Sequence, residues 1–275
     1  GLLVDGKHHF TESTGIPLYR QWKENVPGPR NDAGDEIRPM PQDISSWVTA
    51  PLRDSNGAYA EPLLWYLEEG THTLQLKNNV GIALDTITFK APEKVKDYEA
   101  VLSEWPDAEP VQSDSILIEA EELAYKNASS IPLNYSNNIA STPYERGTVR
   151  YNVIDGDRWS SGNQEVTWNF EVEQSGYYKL GLRVSQSLVS NKSSFRAIEI
   201  DGKIPFEELK AYRFEYDSGW QGVVVSDENG DPYKFYLEEG EHTISMRVTH
   251  APLKEILVEI EDIDLDLFDL SNDLK

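Results

Sequence analysis

Tyr66-Leu67-Glu68-Glu69-Gly70-Thr71-His72-Thr73-Leu74 recurs as Tyr236-Leu237-Glu238-Glu239-Gly240-Glu241-His242-Thr243-Ile244. A match of this length marks an internal repeat, and a repeat decides the fold before any single element does. The correspondence continues outward. Trp47 and Asp54-Ser55-Asn56-Gly57 answer to Trp220 and Asp227-Glu228-Asn229-Gly230, and Val4-Asp5-Gly6-Lys7 answers to Ile200-Asp201-Gly202-Lys203. Copy two carries further strand-like sequence back to Ile116, whereas copy one starts almost at its Asp-Gly-Lys turn, so the chain reads as one and a half copies, the first lacking its N-terminal half. Asp-Gly and Asn-Gly supply the positive φ values of tight hairpin turns.

Period-2 patterning surrounds those turns. Phe195, Ala197 and Glu199 alternate with Arg196, Ile198 and Ile200, and Ile244, Met246 and Val248 alternate with polar residues. Val166 to Val172 and Gly176 to Val184 read as a strand, a tight turn and a second strand, with Trp168 in the core. Many short strands with frequent turns predict a sandwich or jelly roll. The expected architecture is mainly β. Residues 1–92 form the C-terminal half of a first sandwich, 93–114 a linker with one short helix, 115–262 a complete second sandwich ending in a strand at Leu257–Asp262, and 263–275 an acidic helical tail. In that tail Ile263, Leu267, Leu270 and Leu274 share one helical face.

Composition narrows the functional classes. The chain has 275 residues with 39% hydrophobic content, enough for a core, and 25 basic against 48 acidic residues give a net charge of -23. Such a charge, with no Lys/Arg cluster, repels phosphate backbones, so nucleic acid is not an expected partner. Without cysteine there is no disulfide, zinc-thiolate or thiol nucleophile. No apolar run is long enough to span a membrane. Gly1-Leu2-Leu3-Val4-Asp5 is too short for a signal peptide and lacks an initiating Met, so the start is read as an expression or processing boundary. No Gly-x-Ser-x-Gly elbow, Walker A loop, dinucleotide fingerprint or His-Glu-x-x-His helix is present, and no catalytic residue is assigned.

Ile116-Leu117-Ile118-Glu119-Ala120-Glu121-Glu122 resembles the opening strand of carbohydrate-binding modules of families 6 and 35, whose fold is a galactose-binding-like jelly roll. The larger pattern runs through Asp201–Phe206, Tyr212-Arg213-Phe214, Trp220, Asp227–Gly230 and Tyr236–His242. It resembles the N-terminal region of large Firmicute ABC-transporter solute-binding lipoproteins, in which two such modules precede a family 1 sugar-binding domain. The resemblance implies a non-catalytic module region at the Gram-positive cell surface, with poly- or oligosaccharide, the rest of the polypeptide and its transporter as partners. Asp85-Thr86-Ile87-Thr88-Phe89 matches the closing strand of the modules, but Leu257–Asp262 departs from it, which puts a cation site in copy two in doubt.

Sugar recognition needs aromatic faces for C–H surfaces and planar polar groups for hydroxyls. Copy two offers Arg158, Trp159 and Asn163 in a polar loop, with Arg213 and Trp220 expected near the same end. The competing reading makes Trp159 a plug of the sandwich edge and Trp220, which recurs as Trp47, a structural feature of the repeat. Glu119 and Glu121, if both face outward, could hold calcium together with Glu261, or they form a solvated strand face. Asp227–Asp231 lacks the spacing of a calcium loop and reads as a hairpin turn, and His72 and His242 share one structural role. The alternatives to a sugar-binding module are a spacer or protein-docking sandwich and, third, an accessory part of a glycoside hydrolase. The unpaired strand edges of an incomplete first sandwich predict pairing with a second copy through copy one.

Overall fold

The computed structural model describes residues 1–77, 81–108, 111, 115–260, 263 and 267. It is mainly β. The strands are β1 (Leu2–Val4), β2 (Gln21–Lys23), β3 (Gln42–Ile44), β4 (Leu74–Leu76), β5 (Tyr125–Lys126), β6 (Leu133–Asn134), β7 (Val153–Ile154), β8 (Glu165–Val172), β9 (Gly176–Tyr178) and β10 (Gly181–Ser185). They continue with β11 (Ser194–Ile200), β12 (Tyr212–Phe214), β13 (Trp220–Val224), β14 (Phe235–Leu237) and β15 (Gly240–Val248), and a short helix, α1, spans Tyr98–Glu104.

Alternation places the core. In the antiparallel register of β8 and β15, Val166 lies opposite Met246 and Trp168 opposite Ile244, while Ile198 and Ile200 of β11 meet the same two β15 residues from the other side. These side chains share one face of a seven-stranded sheet ordered β12-β11-β15-β8-β5-β2-β3. Phe235 and Leu237 of β14, with Tyr178 and Leu182, pack into the same cluster. The two-stranded ribbons β14-β9 and β10-β13 therefore close the core opposite the large sheet, in a sandwich-like arrangement. The expected strand Gly176–Val184 is broken at Lys179-Leu180 into β9 and β10, because its two halves pair with different strands.

The repeat holds at atomic detail. Asp5 and Gly6 have φ values of 51° and 75°, Asp201 and Gly202 values of 51° and 70°, so both copies turn through two left-handed residues. In each, a histidine fastens the turn to a distant strand. His72 Nδ1 lies 2.7 Å from Asp5 Oδ2 and Nε2 lies 2.8 Å from the Glu68 carbonyl; His242 makes the same contacts at 2.7 and 2.8 Å with Asp201 and Glu238. Both ring nitrogens face acceptors, which favours imidazolium. The Asp5 hydrogen bond raises the His72 pKa, and at His242 the Asp201 carboxylate raises it against the opposing effect of burial.

Copy one divides between two sheets. β1 and β4 form their own ribbon, but β2 and β3 extend the edge of the large sheet, β2 pairing with β5 through Trp22 and Lys126. Lys126 is fully buried and donates to the Glu24 carboxylate, itself buried at the end of β2, and to the Ile131 carbonyl. Further along, the Asp54–Gly57 turn rests on copy two: Asn163 Nδ2 donates to the Asp54 carbonyl (2.6 Å) and the His250 amide to the Gly57 carbonyl (2.7 Å). A Cβ on Gly162 would stand 2.0 Å from the Asn56 carbonyl oxygen, so only glycine permits this approach.

The linker helix is present, with Asp97 as N-cap accepting from the Ala100 amide (2.8 Å). Tyr98, Val101 and Trp105 pack on the copy-two core, so α1 is part of that body. Three expected strands do not form. Residues 254–260 are helical where Leu257–Asp262 was expected to be a strand. His250 is held by Gly57 and Asn56 of copy one, which turns the chain off the sheet, and Pro252 opens a 3-10 turn that leads into the helix. Ile263 and Leu267 of the expected tail continue in helical conformation. Ile116–Ile118 is irregular, with Ile116 and Leu117 exposed and Ile118 packed on the core, and Asp85–Phe89 in copy one is irregular and exposed.

Lys126→Met leaves Glu24 buried without its cation and should cost about 3–5 kcal/mol, while Lys126→Met with Glu24→Leu should recover most of that loss. Urea denaturation of the three proteins checks it; equal stability of the single and double variants would contradict the pairing.

Candidate functional site

The sequence-predicted sugar-binding residues fall in three places. Arg158 and Trp159 lie on the turn after β7, and Arg158 is exposed. Trp159 is half-buried against the core. Its indole N–H donates to the Gln164 carbonyl (3.2 Å), its ring meets Trp168 edge-on at 6.3 Å, and the Arg196 guanidinium covers it at 4.9 Å while donating to the Trp159 carbonyl (2.7 Å). Face and polar edge are both committed internally. Asn163 is buried, with φ 62°, and spans the contact with copy one described above; its side-chain oxygen has no partner.

Arg213 projects from β12 at the edge of the large sheet, where Nε donates to Ser193 Oγ (2.8 Å). Trp220 opens β13 on a separate ribbon. Expected neighbours by sequence proximity, Arg213 and Trp220 thus stand on different sheets. Around Trp220 the ribbon is shallow. The Arg183 guanidinium lies 5.4 Å from the indole centroid and donates to the Asn138 amide oxygen at 3.2 Å. In the register of β10 and β13, Gly222 stands opposite Arg183 and Gly181 opposite Val224, and neither glycine has an atom within 4 Å of where a Cβ would sit. Trp220, Arg183 and Asn138 thus stand beside two positions, Gly181 and Gly222, where no side chain fills the space above the ribbon. Arg183 and Asn138 were missed by the sequence reading. Only outward alternation of Arg183 between Leu182 and Val184 hinted at the first.

The other cavities offer less. A depression of about 300 Å³ beside α1 is lined by Trp105, Asp107, Tyr177 and Lys234, among others. Its rings are engaged with neighbours, Trp105 with Tyr177 at 6.3 Å and Tyr177 with the adjacent Tyr236 at 5.7 Å, and the Tyr177 hydroxyl donates to the Pro106 carbonyl. On the polar face of the large sheet, Arg247 bonds Glu199 (3.0 Å) and lies 3.6 Å from Glu165, all under copy one. Burial lifts the Glu165 carboxyl to about 7 and lowers the Arg53 guanidinium of copy one to about 10.

The carboxylates expected to hold calcium diverge. Glu119 is half-buried and accepts from Thr142 Oγ1 (3.0 Å), whereas Glu121 turns inward and leaves one buried oxygen unpartnered. They follow no strand, so alternation does not place both outward. Glu261 lies outside the described residues. Among the described residues no three His, Asp or Glu side chains converge on a cation site. Asp227 forms the expected turn, its carboxylate accepting from the Asn229 and Asp231 amides at 2.9 and 2.8 Å.

No protein-family model matches the chain, and no curated protein does. A solved structure from Paenibacillus sp., a cycloisomaltooligosaccharide glucanotransferase complexed with cycloisomaltoheptaose, is similar at 22% identity and a TM-score of 0.27, over 35% of this chain and 12% of that one. At that TM-score the likeness carries no argument about fold or ligand.

Burial pushes the Glu121 carboxyl up to about 7. Between the unfolded value near 4.5 and that value, the native state keeps a proton the unfolded state has released, so stability falls as pH rises through this window. Glu121→Gln should therefore be more stable than the parent above pH 7, by about 2 kcal/mol, with the difference shrinking toward pH 4.5. Denaturation curves across this range check the sign.

Proposed function

We propose that residues 1–275 form a non-catalytic carbohydrate-binding region of a cell-surface sugar-uptake protein, and that an oligo- or polysaccharide lies along the β10–β13 ribbon. The observation that supports this reading most is the Trp220–Arg183–Asn138 row beside the open positions of Gly181 and Gly222. A half-exposed indole supplies a face for sugar C–H groups, and a guanidinium and an amide supply planar hydrogen-bonding groups for hydroxyls. The open, shallow strip suits a chain of sugars better than an enclosed small molecule. The family resemblance of the sequence supplies the transporter setting, in which tethering at the membrane makes even weak binding useful.

A second reading, a spacer or docking sandwich without a sugar ligand, is favoured by the commitment of Trp159 and Asn163 to internal contacts. Accessory participation in glycoside hydrolysis has the weakest support, because the paired carboxylates Glu165 and Glu199 are engaged with Arg247 under copy one.

A glycan array with and without calcium, followed by titration of each hit, separates the readings. Trp220→Ala should weaken saccharide binding at least tenfold with an unchanged circular dichroism spectrum. Trp159→Ala should instead lower stability by about 2 kcal/mol and leave affinity within twofold. A blank array with folded protein would transfer support to the spacer, and affinity lost through Trp159→Ala alone would move the site to the loop.

A further inference from the structure

The repeat sets the same dipeptide at the tip of two turns, Asn56-Gly57 in copy one and Asn229-Gly230 in copy two. The turns are built alike. Asp54 Oδ2 accepts from the Asn56 and Ala58 amides at 3.1 and 2.8 Å, and Asp227 Oδ1 accepts from the Asn229 and Asp231 amides at 2.9 and 2.8 Å. Gly57 and Gly230 are both left-handed, with φ 65° and 87°. Their surroundings differ. Gly57 is buried, and its carbonyl accepts from the His250 amide (2.7 Å), while the Asn56 carbonyl lies 2.9 Å from His250 Nδ1. A Cβ on Gly162 would stand 2.6 Å from the Gly57 nitrogen, so copy two sits directly against it. Asn229 and Gly230 are exposed, and nothing lies within 4 Å of where a Gly230 Cβ would be.

An asparagine followed by glycine carries its own electrophile and nucleophile. The glycine nitrogen gives its proton to hydroxide and attacks the asparagine Cγ. The Cγ–N bond then breaks, the amide nitrogen takes a proton from water and leaves as ammonia, and a cyclic succinimide remains. Water opens that ring at either carbonyl, to aspartate or isoaspartate, so the net change is asparagine plus water to an acidic residue plus ammonia. Glycine, without a Cβ, leaves the attack unhindered. Ring closure requires the backbone between the two residues to swing out of the turn, so in a folded chain its rate follows local opening. At Asn229 the swing breaks the bond from the Gly230 amide to the Asp227 carbonyl (3.1 Å) and those from Asn229 to the Asp227 carboxylate, all at an exposed tip. At Asn56 it must also part the turn from copy two, losing His250 and the Asn163 bond to the Asp54 carbonyl.

We infer that Asn229 is a site of spontaneous deamidation in the folded protein, and that its repeat equivalent Asn56 is protected by the seating of copy one on copy two. The product alters the turn that makes it. Asn229 Nδ2 donates to Asp227 Oδ2 at 3.2 Å, and after deamidation to aspartate a carboxylate stands in its place, so an attraction becomes a repulsion. Isoaspartate also adds a methylene to the backbone at the residue whose amide Asp227 holds. The inference is independent of the saccharide reading, since it uses no residue of the strip around Trp220.

The intact 275-residue chain can be incubated in mildly alkaline buffer, folded and in urea, and followed by peptide mapping with tandem mass spectrometry. Folded, Asn229 should convert faster than Asn56 by about tenfold or more, with isoaspartate among its products; in urea the two should convert at similar rates. Gly162→Ala, which pushes a methyl group into the Asn56 carbonyl, should raise the Asn56 rate toward that of Asn229 and leave Asn229 unchanged. Equal rates at the two sites in the folded parent would overturn the inference. So would a folded chain in which Asn229 stays intact over the time that the urea-unfolded chain converts it. An Asn56 rate unmoved in folded Gly162→Ala would remove copy two as the source of protection.

Discussion

The buried contact between Lys126 and Glu24 is the constraint around which the chain is arranged. A lysine without solvent is tolerable only with an acceptor close by, and Glu24, on copy one, is that acceptor. Burial pulls the Lys126 pKa down while Glu24 supports the charge. Because the pair links β2 to β5, the seven-stranded sheet needs both copies to be complete. The same dependence appears at Arg150, which lies 3.4 Å from buried Glu36, and at Lys210, which meets Glu61. Charged groups of copy two thus lie against opposite charges of copy one at several points, which makes the contact between the copies specific as well as adhesive.

The repeat was the most legible part of the sequence because turn chemistry is local. Asp-Gly, the Asp54 and Asp227 turns, and the histidines His72 and His242 behave in the structure as their types and spacing indicate, since each is decided by neighbours whose identity the repeat shows twice. The alternation of Val166, Trp168 and Val172 likewise placed the core. What sequence could not show is which strand pairs with which. Ile116–Ile118, Asp85–Phe89 and Leu257–Ile260 have strand-like composition, yet none is a strand, because β propensity reports fitness for a sheet and cannot supply the neighbour.

The candidate site shows the same division. Trp159, Asn163, Arg213 and Trp220 were chosen by residue type. Only Trp220 borders an open surface with further recognition groups, because its companions Arg183 and Asn138 arrive through strand register and loop packing. Trp159 sits instead under Arg196, a cation–π contact that its flanking sequence does not announce. Glu121 turned inward because its segment is a turn and period-2 logic does not apply there.

The close approach of Gly162 to Asn56 bears on how this region can be inherited and recombined. A backbone of one copy occupies the space that any side chain would need in the other, so the mutational freedom of position 162 is set by a segment more than a hundred residues away. The two copies share a sequence pattern and turn geometry, but they are not exchangeable modules. Copy two moved alone into another protein would expose the surface around Gly162 and Asn163 that copy one now covers, and copy one moved alone would leave Glu24 without its cation. Shuffling at this boundary would have to carry both halves together.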